Sequence, residues 1–187
     1  MSGTGPLRTY VIYNLSMKQC KILPLPPFRI RNARYTNLLS GTIAFDPAKS
    51  NYYQVVGVCS ADISKGVQHV EIYSSKTDSW RDAGDPLPLS LLGTSESDVY
   101  WNGSVDWLDQ GTAALHYFDI DCGLAKTVAM PKQPCSEGDY SRSVEYFGEC
   151  RGHMHLMEMR KDGNGIPSFD IWEMQMDLFG MECQVLR

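Results

Sequence analysis

The fold follows from the stretch Val99-Tyr100-Trp101-Asn102-Gly103-Ser104-Val105-Asp106-Trp107-Leu108. Aromatic and β-branched residues, which favour extended strands, stand on both sides of a central Asn-Gly pair. This dipeptide is the strongest short-range signal for a two-residue turn between antiparallel strands, because both of its residues tolerate a positive φ. The stretch therefore predicts a β-hairpin with Asn102 and Gly103 at its tip.

A second hairpin pattern occurs four times along the chain. In each copy an apolar strand contains an aromatic residue near its end, a small polar turn follows, and a second apolar stretch returns. The anchor aromatics of the four copies are Tyr13, Tyr73, Phe118 and Trp172, and they lie 60, 45 and 54 residues apart. Spacings of roughly 40–50 residues are typical of the blades of a β-propeller.

Further strand pairs lie between these hairpins. They are predicted over residues 41–45 with 53–59, 98–101 with 104–108, and 144–147 with 154–158. The turn of the last pair is predicted over residues 148–152, and residues 168–178, the longest helical candidate, also alternate like a strand. Each unit thus offers about four antiparallel strands, as a propeller blade does. The predicted fold class is all-β, with about four blade-type repeats.

Length and composition favour one domain. The chain has 187 residues, of which 43% are hydrophobic, so it can bury a sizeable core. Predicted loops over residues 24–37, 82–97 and 160–168 are too short to divide it. We expect a single domain over residues 1–187, with residues 1–9 disordered.

Charge and hydropathy limit the partners and the compartment. A net charge of −5 gives no electrostatic attraction to nucleic acid or to anionic lipid. The first residues lack the apolar run of a signal peptide, and no apolar stretch is long enough for a transmembrane helix. We therefore expect a cytoplasmic or nuclear protein that binds neither nucleic acid nor a membrane. In those compartments the six cysteines should be reduced and mostly buried.

Residues that could carry chemistry are few. Cys150, His153 and His155 are the best metal candidates, but zinc usually takes four ligands and no fourth lies at a useful spacing. We interpret them as a structural thiol and two surface histidines. Asp119 and Asp121 could serve acid–base catalysis, yet they flank a predicted turn, which is the simpler role for them. The sequence has no nucleophile elbow, so we expect no enzyme, no catalytic residue, no metal and no cofactor.

The four tryptophans favour packing over ligand stacking. Trp80, Trp101, Trp107 and Trp172 lie in predicted hairpins, where a large aromatic side chain usually fills the core. At least three of them should be buried. A binding surface is expected instead in the loops that the strands hold in place, although the residues that contact a partner are not specified by the sequence.

Several segments resemble the F-box-associated domain of plant F-box proteins. Residues 44–50 with 53–56 are similar to its "AFDP-x-x-S-x-x-Y-x-V-V" segment, and residues 73–80 to its "YSS-x-T-x-x-W" segment. Residues 100–108 are similar to its "YWNG-x-x-HWL" segment, with Asp106 at the position where His is usual. Residues 118–120, 128–131 and 148–154 match later segments, so the resemblance runs in family order from about residue 10 to the C-terminus.

This resemblance implies a kelch-like β-propeller, here partial or incomplete, that recognises a substrate protein for a Skp–cullin–F-box ubiquitin ligase. Relatives carry an F-box, a short helical module that binds a Skp-type adaptor. We expect this chain to lack the F-box and the first part of the propeller, so that it contacts the adaptor only if an F-box is present elsewhere.

Alternative functions remain open from the sequence. A β-propeller that binds a carbohydrate or another small ligand through exposed aromatics is the second hypothesis, and an enzyme on a β scaffold is the third. Because blades bury their faces only against neighbouring blades, an incomplete array is also expected to self-associate or to be poorly soluble.

Overall fold

The computed structural model describes residues 9–27, 38–62, 67–84, 87–88, 98–109, 114–129, 142–161, 163–177 and 180–186. These residues form fifteen strands and almost no helix, which confirms the predicted all-β class. Within them no helix has the length and apolar character needed to cross a membrane. The predicted disorder of residues 1–9 falls, apart from Thr9, outside the described residues.

The chain divides into two compact units, residues 1–90 and 91–187. In the first unit, β1 (Val11–Asn14) pairs with β2 (Gln19–Ile22) in a two-stranded antiparallel sheet. A larger antiparallel sheet has the order β3-β4-β5-β6, with the short β7 also on β5. Its strands are β3 Leu38–Ala44, β4 Gln54–Asp62, β5 Val67–Ser74, β6 Ser79–Asp82 and β7 Leu87–Pro88.

The second unit contains two four-stranded antiparallel sheets, each in chain order. The first consists of β8 Asp98–Trp101, β9 Ser104–Asp109, β10 Ala114–Asp119 and β11 Leu124–Ala129. The second consists of β12 Arg142–Cys150, β13 His153–Lys161, β14 Pro167–Asp177 and β15 Gly180–Leu186. The prediction of one domain over the whole chain stays a prediction.

Three anchor hairpins share one turn geometry. The residue five positions after the anchor aromatic has a left-handed backbone each time, with φ of 51° at Lys18, 52° at Asp78 and 68° at Gly123. Glycine adopts such a φ without steric cost, aspartate adopts it occasionally, and lysine is strained there. The repeat is therefore one of backbone geometry even where the residue type differs.

The residue directly after the anchor aromatic also has a common role. Asn14 and Ser74 accept hydrogen bonds through their side-chain oxygens from backbone N–H groups of their own turns, at 3.0 and 3.3 Å. Asp119 accepts from the backbone N–H groups of Asp121 and Cys122 at 3.0 and 2.8 Å. Such local bonds stabilise tight turns, and they confirm the turn interpretation of Asp119.

Two other hairpins close through two-residue turns with positive φ at both positions. Asn102 and Gly103 have φ of 47° and 89°, which confirms the predicted tip. Arg151 and Gly152 have φ of 54° and 84°. The prediction of a turn over residues 148–152 was too long, because β12 continues to Cys150 and leaves only these two residues between the strands.

In each unit a cluster of buried apolar side chains lies between two sheets. In the second unit the buried cluster joins the β8–β11 sheet to the β12–β15 sheet, and its members are Trp101, Leu108, Leu115, Tyr117, Phe147, Met154, Leu156, Trp172 and Met174. Trp107 is buried as well, so three of the four tryptophans are core residues, as predicted. In the first unit Leu23, Val55 and Tyr73 form the buried cluster, against which Ile12 and Trp80 pack.

Other local predictions had mixed outcomes. Residues 168–177 are strand rather than helix. The predicted loop over 82–97 contains β7, which pairs with Val67 and Gln68. The expectation of mostly buried cysteines was wrong for the described thiols, because Cys59 is buried whereas the other three lie exposed near hairpin turns; these are Cys20, Cys122 and Cys150.

Candidate functional site

Each larger sheet has two different ends. Because its strands follow one another in chain order, its first and third turns lie at one end and its second connection at the other. The first and third turns meet directly: the backbone N–H of Ser75 donates to the carbonyl oxygen of Tyr53 at 3.0 Å, and that of Ile120 donates to the oxygen of Gly103 at 3.1 Å. We call this end the tight-turn end.

The opposite end of the β12–β15 sheet, which we call the long-loop end, carries the connection between β13 and β14. Of the predicted loop over residues 160–168, residues 163–166 lie between these strands and are described. Ile166, between β13 and β14, exposes 62% of its surface. Loops are the variable, functional parts of a β scaffold, so this end is the candidate binding surface.

The metal candidates lie near one carboxylate. His153 Nδ1 is 2.7 Å from Glu173 Oε1, and His155 Nε2 is 3.9 Å from Glu173 Oε2. Cys150 is the cross-strand partner of His153. Sequence reasoning missed Glu173, which the pairing of β13 with β14 places opposite His155. Among the described residues no group of three or more His, Cys, Asp or Glu side chains is arranged to hold a metal ion.

A buried carboxyl group lies in β9. Asp106 has no exposed surface, and its Oδ2 lies 2.9 Å from Ser104 Oγ. Burial raises the pKa of Asp106 to about 7, against the weaker opposing effect of the Ser104 hydrogen bond. Ser104 Oγ also donates to the carbonyl oxygen of Trp101 at 2.9 Å. One hydroxyl proton cannot serve both acceptors, so a protonated Asp106 that donates to Ser104 satisfies the arrangement.

A buried histidine lies on the neighbouring strand. The ring nitrogen Nδ1 of His116 is 2.8 Å from Thr127 Oγ1, and Nε2 is 3.9 Å from Asp109 Oδ2. Burial lowers the pKa of His116, and the Asp109 carboxylate opposes this effect. The imidazole is therefore held neutral in the sheet, which suits packing and hydrogen bonding rather than proton transfer at the surface.

A polar cluster joins the two sheets of the first unit. Tyr73 donates its hydroxyl to Asp78 Oδ1 at 2.6 Å, and Lys21 Nζ lies 2.9 Å from the same oxygen. The Tyr73 and Lys21 hydrogen bonds lower the pKa of Asp78. Nearby, the indole N–H of Trp80 donates to the carbonyl oxygen of Pro24 at 2.8 Å. These contacts fix β2 and the chain after it against the turn between β5 and β6, which is a structural role.

Exposed apolar side chains collect on two sheets. On the β1–β2 sheet Val11, Tyr13 and Ile22 are exposed on one face. On the β12–β15 sheet Phe169 and Ile171 are exposed on the face opposite the buried Trp172. Clusters of exposed apolar side chains are more often interaction surfaces than single exposed residues are.

Comparison with known proteins shows a similarity to an F-box protein. The chain is 25% identical over 178 residues to an F-box protein of Arabidopsis thaliana. The match covers 89% of this chain and 39% of the relative, so the chain spans about two fifths of the length of that protein. No family model matches the chain.

Proposed function

We propose that this chain is a non-catalytic protein-interaction module of a plant F-box protein, which recognises a substrate for a Skp–cullin–F-box ubiquitin ligase. The similarity to an Arabidopsis F-box protein over 89% of the chain carries the proposal. The repeated antiparallel sheets agree with a partial or incomplete, kelch-like β-propeller. The module acts in the cytoplasm or nucleus, and a Skp-type adaptor binds only where an F-box accompanies it.

The substrate protein binds at the long-loop end. In the second unit the hairpin turns after β8, β10 and β12 are short, and the turn after β10 is held by the hydrogen bonds that Asp119 accepts. The connection between β13 and β14, at the long-loop end, is longer than these turns and carries the exposed Ile166. Longer loops can vary in sequence while the strands keep their geometry, which is what recognition of one particular protein requires.

Binding of a carbohydrate or small ligand by stacking is less well supported. Stacking needs an aromatic face that a ligand can reach. Trp101, Trp107 and Trp172 are buried, and the indole N–H groups of Trp101 and Trp172 are already engaged by Gly152 and Glu158. We also propose no enzymatic activity. Asp106 and His116 are buried, and each makes a hydrogen bond to a side chain of its own sheet.

Site-specific photo-crosslinking tests the proposal. A photoreactive phenylalanine is placed at Ile166, at the long-loop end, and in a matched variant at Leu124, which is 57% exposed beside a tight turn. In plant extract the Ile166 probe should link to a defined protein that becomes more abundant when the ligase is inhibited. The Leu124 probe should not link to it.

Three results would contradict the proposal. The two probes could capture the same proteins equally, the linked protein could be indifferent to ligase inhibition, or no protein could be linked at either position. Recovery of a Skp-type adaptor with this chain alone would contradict the requirement for an F-box.

A further inference from the structure

The sheets of this chain pack in one repeated manner. We call the side of a sheet that carries its anchor aromatic the anchor face. The anchor face of the β3–β6 sheet, with Tyr73, packs against Ile12 of the preceding β1–β2 sheet. The anchor face of the β12–β15 sheet, with Trp172, packs against Leu115 and Tyr117 of the preceding β8–β11 sheet. In both units an anchor face is therefore covered by the opposite face of the sheet before it.

The first sheet breaks this rule. Its anchor face consists of Val11, Tyr13, Cys20 and Ile22, and we call it the head face. Tyr13 exposes 54% of its surface, whereas Tyr73, Phe118 and Trp172 expose 0%, 1% and 2%. Val11 and Ile22 are exposed as well. The anchor aromatic is thus exposed in the first copy of the hairpin and buried in the other three.

In the β12–β15 sheet it is the non-anchor face that is exposed. Its non-anchor face carries five large apolar side chains that neighbour one another across β12, β13 and β14, and we call it the tail face. Its members are Tyr146, Met157, Met159, Phe169 and Ile171. Phe169 is 55% exposed, Tyr146 and Ile171 are also exposed, and both methionines are partly exposed.

We propose that the tail face of one copy of this chain packs against the head face of a second copy. The contact repeats the internal one, since a non-anchor face covers an anchor face in both. It is heterologous, because two different faces meet, and it produces a ring or an open array rather than a two-fold dimer. The head face is a two-stranded sheet, so the contact is small and the association depends on concentration.

Two lysine variants test the pairing of the faces. Tyr13→Lys places a charge on the head face and Phe169→Lys places one on the tail face, and both residues are more than half exposed, so the fold should tolerate the changes. In sedimentation velocity the unaltered chain should associate as its concentration rises. Each variant alone should remain monomeric, because every contact would contain one altered face.

Mixing the two variants gives the decisive result. Their unaltered faces can still meet once, so an equimolar mixture should form a heterodimer of twice the monomer mass and nothing larger. Leu124→Lys, a change at a residue that is 57% exposed and outside both faces, should associate like the unaltered chain. Circular dichroism checks that each variant retains the β-sheet signal.

Several outcomes would overturn this inference. An unaltered chain that stays monomeric at all concentrations would mean that another segment or protein covers these faces. Association of either lysine variant alone would mean that a different surface is used. A mixture without heterodimers would exclude the head-to-tail arrangement, and loss of association in Leu124→Lys would indicate unspecific aggregation.

Discussion

The indole N–H of Trp101 donates a hydrogen bond to the backbone carbonyl oxygen of Gly152 at 2.8 Å. Trp101 ends β8, and Gly152 lies in the turn between β12 and β13, so this bond joins the two sheets of the second unit. The indole ring belongs to the same buried cluster as Trp172. One side chain therefore contributes both to the apolar core and to the fixed position of a neighbouring turn.

Trp101→Phe should destabilise the second unit. Phenylalanine keeps an aromatic ring but leaves the Gly152 carbonyl oxygen without this donor, and it leaves a small cavity. The two effects together should lower the free energy of unfolding by about 2 kcal/mol. Urea denaturation followed by circular dichroism measures the change. Trp80→Phe is the control, because its bond to the Pro24 oxygen is exposed to water, and a loss as large as that of Trp101→Phe would contradict the prediction.

Asp106→Asn should change how stability depends on pH. Burial raises the pKa of Asp106 to about 7 in the fold, from 3.8 in the unfolded chain. Between these values the folded protein holds a proton that the unfolded chain has released, so stability falls as pH rises, by about 1.4 kcal/mol per pH unit. The contribution is complete below the unfolded pKa and is lost as pH rises through the folded pKa. Asparagine stays neutral and does not show this loss.

The measurement for Asp106 is a comparison of unfolding free energies of both proteins between pH 4 and pH 8. The asparagine variant should gain stability relative to the unaltered chain as pH rises, by up to about 4 kcal/mol over the window. A difference that stays constant with pH would show that Asp106 titrates like an exposed carboxyl group. A difference of the opposite sign would show that its ionised form is the stabilised one.

Gly103→Ala should destabilise the hairpin tip through the backbone alone. Gly103 has a φ of 89°, and a β-carbon added there would meet no atom within 4 Å. The left-handed strain of alanine should therefore cost about 1 kcal/mol in thermal or urea unfolding. Gly163→Ala is the matched control, since a β-carbon there also meets no atom within 4 Å and no left-handed φ is required. Equal effects of the two changes would refute the backbone explanation.

Tyr73→Phe should destabilise the first unit although the ring stays in place. The variant removes the hydroxyl that donates to Asp78 at 2.6 Å, and with it roughly 1 kcal/mol of stability. Tyr13→Phe removes the same atom from the equivalent position of the first hairpin, where the side chain is exposed. It should leave the urea midpoint unchanged. If the two variants behave alike, the polar cluster around Asp78 contributes nothing to stability.

Much of the local structure could be predicted from residue chemistry. Asn102-Gly103 fixed a turn because these residues tolerate positive φ, and Asp119 fixed another because its side chain accepts backbone hydrogen bonds. The left-handed backbone of Lys18 could not be predicted, because lysine disfavours it, and aspartate at position 78 adopts it only occasionally. Only the closure of the hairpins around them imposes it.

The surroundings of the titratable side chains were less predictable. His153 and His155 stood out in the sequence, but Glu173 lies on another strand, and only the pairing of β13 with β14 brings it between them. Asp106 lies in a strand, and the sequence alone does not show whether its side chain is on the buried or the solvent-exposed face of the sheet. Its burial follows from the sheet that packs on β9, and so does its raised pKa.

The sequence by itself determined where the strands turn and which side chains share a face, because turn geometry and the two-residue period of a strand are properties of neighbouring residues. The tertiary structure decided which of those faces are covered. Tyr13 and Tyr73 hold the same place in the same hairpin, and the difference between an exposed and a buried ring depends on whether another sheet lies against it.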